Sequence, residues 1–152
     1  VPTIVKMPAI ESYYIRNKGY NINIKETWQK LQTWILTNDI ISYKRIALFH
    51  DNPTITPLNE CQYIGCVMVE DNQEVKSDRL PKFKIAEGVY AKFDLKGKTG
   101  DVLPFIHWVY HEWLPKNEYE TTTKPSYAIY NKIDFLDESN EFDLSFYVSI
   151  NF

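Results

Sequence analysis

Cysteine and glycine are both scarce in this chain: two cysteines and five glycines among 152 residues. Cys61 and Cys66 stand five positions apart on one extended stretch, where odd spacing sends side chains to opposite faces, so they cannot bridge there. A structural zinc site wants four ligands at a spacing this pair lacks. Both read as reduced thiols in or near the core of a cytoplasmic protein. No apolar run reaches transmembrane length, and the first residues lack the charged start and apolar middle of a signal peptide. Excess positive charge is missing too. A net charge of -3 and a pI near 5.6 argue against a surface that neutralises phosphates, so the domain itself is not expected to bind nucleic acid. No low-complexity linker interrupts the sequence, and the length suits one domain spanning 1–152.

Aromatic residues are abundant: eleven Tyr, eight Phe and four Trp. Tyr and Trp carry a polar tip on an apolar body and suit cleft walls as well as cores. The opening "PTIVKMPAIESYYIRNKGY" reads as two extended segments broken at Pro8, the second closed by Gly19. From Ile24 to Asn38, Ile24, Trp28, Leu31, Trp34 and Ile35 recur at helical spacing, and Trp28 to Ile35 read as the stripe that covers a sheet. "RIALFHDNP" is a strand ending in a turn, where Asp51 is expected to hydrogen-bond its own backbone. "CQYIGCVMVED" is a second strand, followed by the polar loop "DNQEVKSDRLP".

The second half repeats the plan. "EGVYAKFDLKG" is a strand closed by Gly97. A helix over 101–114 follows, stopped by Pro115. "KPSYAIYNK" and "EFDLSFYVSIN" are strands flanking the polar loop "IDFLDESN". Strand-helix-strand-strand therefore occurs twice, without repeated residue identities. The fold class predicted is α+β: two pseudo-repeated units whose antiparallel sheets, joined edge to edge or face to face, enclose a central ligand cleft.

The run "FIHWVYHEWLP" carries His107 and His111 one helical turn apart. A metal would need a third ligand, Glu112 points about a hundred degrees from His111, and the order is not His-Glu-x-x-His. The apolar stripe predicted for this helix is Phe105, Trp108, Val109, Trp113 and Leu114, and both histidines lie off it on a solvated face. No metal site and no cofactor are expected. Ser12, Ser126 and the threonines at 121–123 show no nucleophile motif with a matching base.

The succession "YYIRNKGY", "LQTW", "ALFHDNP", "CQYIGCVMVE", "EGVYAKFDLKG", "HEWLP", "KPSYAIY" and "FYVSIN" resembles, in order and over nearly the whole chain, the GyrI-like domain. That domain is also the effector-binding half of AraC/Rob-type and multidrug-responsive MerR-type regulators. "HDNP" after a strand, "EWLP" at a helix end and "P-x-aromatic-x-x-Tyr" on the next strand are the specific elements. The resemblance implies the doubled strand-helix-strand-strand fold and a cleft that takes aromatic, often cationic, small molecules. It also implies a cytoplasmic module that touches DNA only through a separate DNA-binding domain, with no membrane partner; a homodimer is left open. The start at Val1 rather than Met suggests either a domain excised from a longer regulator or a trimmed chain. In the family the strand usually reads Pro-x-aromatic-Glu-x-Tyr, with the acid facing the ligand; here Ala128 takes its place. The loss weakens the case for cation preference, and equally for the hydrolase activity of those relatives that depend on this acid.

Given that resemblance, Tyr130 shares its strand face with Ala128 and is expected in the pocket, with Tyr127 and Ile129 against the helix. Phe105 and Trp108 stand at the start of the helix that approaches the cleft. Glu112 could supply the missing acid, or be a surface carboxylate. Tyr14, Phe49, Tyr63, Tyr90 and Tyr147 are further wall candidates. The expectation is a non-catalytic, small-molecule effector-binding domain of a bacterial transcriptional regulator. Two alternatives are a standalone hydrolase of electrophilic aromatic compounds and a protein-interaction inhibitor.

Overall fold

The computed structural model describes residues 2–20, 23–76, 79–98, 101–131 and 141–151. The loop "IDFLDESN" expected over 133–140 and part of the loop over 71–81 lie outside them. Nine strands and two main helices follow in the order β1 (Thr3–Met7), β2 (Ile10–Lys18), α1 (Ile24–Thr37), β3 (Tyr43–Phe49), β4 (Gln62–Val69), β5 (Lys82–Ile85), β6 (Gly88–Lys98), α2 (Val102–Trp108), β7 (Glu120–Thr121), β8 (Ser126–Tyr130) and β9 (Glu141–Asn151). A π turn (Val109–Trp113) and a last α turn, α3 (Leu114–Lys116), prolong α2.

Two expected boundaries move. Gly97 lies inside β6, which runs on to Lys98, whereas Gly19 does follow its strand, at φ 101°. Pro115 does not stop the second helix but sits in its final turn, ending at Lys116. In a regular α-helix the Pro115 ring would strike the His111 carbonyl; the wider π turn just before it relieves that crowding. Short β5 went unpredicted. Its exposed Lys82 and Lys84 alternate with Phe83 and Ile85, a charged edge strand paired with β2.

All pairings are antiparallel, and eight strands form one path, β1-β6-β9-β8-β3-β4-β2-β5, with β7 extending along β9. The two repeats appear in it as β6-β9-β8 and β3-β4-β2. They join edge to edge through β8 and β3, where Ala128 pairs with Ala47. Only Pro8 and Ala9 separate β1, at one edge of the sheet, from β2, next to the other edge. The sheet must therefore curl.

Each face has its own core. One face packs against the helices through Trp28, Leu31, Trp34 and Ile35 of α1 and Ile106, Val109 and Leu114 of the second helix. The other holds Ile10, Ile46, Leu48, Ile64, Cys66, Ile85, Tyr90, Tyr127 and Tyr147 with no helix residue among them. Both sheet edges feed this second cluster, through Met7 of β1 and Ile85 of β5, so it lies inside the curl. Cys61 and Cys66 are free, buried and in different clusters, as opposite-facing side chains require.

Candidate functional site

Val109 and Leu114 are both buried although five positions separate them, which the wide π turn permits and a regular α turn would not. Ile106, absent from the predicted stripe, joins them in the core. Phe105, Trp108 and Trp113 are turned toward β6, where each ring meets Phe93 edge-on at centroid distances of 5.4, 6.3 and 5.0 Å. Trp113 also stacks on Tyr119, 5.6 Å away at 19°.

Between these rings and β1 runs a cavity of about 670 Å³, lined by Pro2, Ile4, Phe93, Asp94, Leu95, Phe105, Trp108, Trp113, Asn117 and Tyr119. A smaller one of about 150 Å³ adjoins it at Ile4 and Tyr119. Asp94 is the one acid in the lining. Its carboxylate points to the other face of β6, where Ser145 Oγ donates to it at 2.6 Å, because neighbours on a strand alternate. The groove therefore has aromatic walls, with Asn117, Tyr119 and two indoles among its lining, and the one carboxylate of that lining is bonded on the other face of β6.

The ten candidates separate into groups. Phe105 and Trp108 line the groove, and Trp108 is 44% exposed at its mouth. Phe49, Tyr63 and Ala128 are buried and Tyr130 is half-buried, all on the helix-facing side near the join of the two halves. There Trp28 Nε1 donates to the Tyr63 hydroxyl at 2.8 Å, and Tyr63 hydrogen-bonds Tyr130. Burial pushes the Tyr130 phenol up to about 12 and raises that of Tyr63 well above its ordinary value too. Tyr14, Tyr90 and Tyr147 stand inside the curl, on the opposite side of the sheet from Phe105 and Trp108. Tyr127 stacks on Tyr147 there at 4.9 Å, and Tyr14 meets Phe83 edge-on at 4.7 Å. The expectation that Tyr127 and Ile129 face a helix is thus reversed: it is Ala128 and Tyr130 that do.

Glu112 is outside the groove, paired with Lys116 Nζ at 2.9 Å, and this pairing holds its carboxyl below the usual range. His107 and His111 are exposed with ring centroids 5.5 Å apart, and among the described residues no third His, Cys, Asp or Glu completes a metal-sized group with them. Asp51 does not order its own turn. Its Oδ2 accepts from Gln62 N at 2.6 Å, its backbone is bracketed by the Tyr20 hydroxyl, and Asn52 Oδ1 orders the turn by accepting from Thr54 N at 2.9 Å.

The groove adds Phe93, Leu95, Trp113 and Tyr119 to the residues singled out in the sequence as wall candidates. Phe93 and Leu95 were legible as one face of an alternating strand. Nothing local marks Tyr119, which reaches Trp113 only because the chain doubles back after α3.

No helix among the described residues is long and apolar enough to cross a membrane. A family model described as a GyrI-like small molecule binding domain matches residues 1–150. A DNA gyrase inhibitor of Citrobacter koseri is 24% identical over 129 residues, covering 84% of this chain and 82% of that protein. The solved C-terminal domain of EcmrR superposes with a TM-score of 0.72 at 15% identity, over 99% of this chain and 97% of that one. A hydrolase from Listeria innocua superposes with a TM-score of 0.65 at 10% identity, over 99% and 91%. At such identities the two structures share the fold alone. From the near-complete family match, the chain belongs to the GyrI-like small molecule binding domain family.

Proposed function

We propose that this domain is the non-catalytic effector-binding module of a bacterial transcriptional regulator, and that it holds flat, largely apolar aromatic molecules in the groove between α2 and β6. The observation that carries this is Trp108, a large ring left 44% exposed at the mouth of an aromatic-walled cavity of about 670 Å³. Exposed aromatic surface beside a cavity of drug size is costly unless something covers it. The groove turns no carboxylate inward, so positive charge on the ligand is not required. Bound ligand would bridge α2, β6 and the edge strand β1 and favour one arrangement of the three, which an attached or partner DNA-binding domain reads.

The test is tryptophan quenching with one neutral dye, N-phenylnaphthylamine, and one cationic dye, rhodamine 6G. Both should bind, and Trp108→Ala should weaken each about tenfold. Dye binding that ignores Trp108→Ala, or no binding of either dye, rejects the groove.

The hydrolase and gyrase-inhibitor names of two similar proteins suggest other roles for this fold. Hydrolysis needs a positioned acid or base, and Glu112 is held charged by Lys116 away from the groove.

A further inference from the structure

Arg45, near the start of β3, is 4% exposed. It shares the helix-facing side of the sheet with Ala47 and Phe49, and the β3–β8 register sets it opposite Tyr130. Its guanidinium lies over the Trp28 ring, 5.6 Å from the centroid. Nη2 donates to Gln32 Oε1, and Nη1 is buried with no acceptor. Among the described residues no carboxylate forms an ion pair with it. An arginine cannot shed its proton to escape this, so a full positive charge is held by one neutral amide and a ring face. Such a charge is costly to bury and strongly favours any anion that can reach it. Gln32 and Tyr130 beside it are half-buried.

We propose that Arg45 anchors a second ligand site, under α1 rather than α2, for a small aryl carboxylate. The carboxylate displaces the Gln32 amide and takes both guanidinium nitrogens in a bidentate pair, satisfying Nη1 as well as Nη2. A monoanion matches one guanidinium, and the Trp28 ring under it and Tyr130 beside it suit an aryl group better than a hydrated ion. This site does not depend on the groove between α2 and β6, and its probes differ from the dyes used there.

The test is calorimetric titration and thermal denaturation of the whole chain with benzoate, its neutral analogue benzamide, and inorganic phosphate. Benzoate should bind and raise Tm, whereas benzamide and phosphate should do neither. Gln32→Glu should raise Tm without ligand, because it supplies the missing carboxylate, and should weaken benzoate binding about tenfold or more. Arg45→Met should abolish the benzoate response; if that variant does not fold, Gln32→Glu decides by itself. Absence of benzoate binding, equal binding of benzamide or phosphate, or benzoate affinity unchanged in Gln32→Glu each overturns the proposal.

Discussion

The indole N–H of Trp28 donates a 2.8 Å hydrogen bond to the hydroxyl of Tyr63, fastening α1 to β4 inside the core. The same hydroxyl is bonded to Tyr130, and the Trp28 ring meets Tyr130 edge-on at 5.8 Å. Two elements from the first half and one strand from the second are thus linked by one polar atom. Tyr63→Phe keeps the ring and strands the indole N–H, so it should cost about 1–3 kcal/mol of unfolding free energy. A urea midpoint that falls at constant m-value would show it; an unchanged midpoint would mean the N–H finds another acceptor.

α1 comes close to its sheet at Gly65. A Cβ there would lie 2.8 Å from Leu31 Cδ1 and 3.1 Å from Thr27 Cγ2. Leu31 is fully buried and has little room to yield. Gly65→Ala should destabilise by about 1–3 kcal/mol through overpacking. Gly65→Ala paired with Leu31→Val should recover part of this, and a denaturation series on the single and double variants measures the coupling.

Stability should fall on the alkaline side. Burial pushes the Cys66 thiol up to about 12, while in the unfolded chain a thiol titrates near 8.5. The folded state keeps a proton that the unfolded state loses. This contribution is therefore complete below about pH 8.5 and is lost as pH rises toward the folded value. Buried Tyr90, Tyr127 and Tyr147, also raised by burial, add the same sign, but only once free tyrosine titrates near 10. The thiols thus govern the first part of the decline. Urea midpoints between pH 8 and 9.5 should drop in the native sequence and drop less in Cys66→Ala.

Glu112→Gln removes an exposed ion pair with Lys116 and a weaker interaction with His111. Exposed pairs of this kind contribute little, so the urea midpoint and dye binding should both stay as they were. Turnover of a strained-ring aromatic electrophile by the native chain, lost in this variant, would instead make Glu112 a catalytic acid or base.

Much of the fold was legible because hydrophobic spacing is a local signal. Trp28, Leu31, Trp34 and Ile35 sit at helical spacing and are buried where that spacing puts them. Alternation in "SYAIY" set Tyr127 and Ile129 opposite Ala128 and Tyr130, as the two clusters have them, yet put the wrong pair against the helices. Tyr127 shows the limit: the strand pattern puts it opposite Ala128, but the side that α1 and α2 cover is fixed by connections far along the chain.

Composition and periodicity by themselves determined the α+β class, the two repeats and the first helix, since each follows from contacts within a few residues. Tertiary structure decided where the rings gather. The π turn brings Trp113 onto Phe93 beside Phe105 and Trp108, the curl encloses Tyr90 and Tyr147 on the far side of the sheet, and β3–β8 pairing buries Arg45 beside Tyr130. All three depend on backbone register and on residues distant in sequence. Register shifts which face a side chain occupies without changing its identity, and so leaves no mark on the sequence.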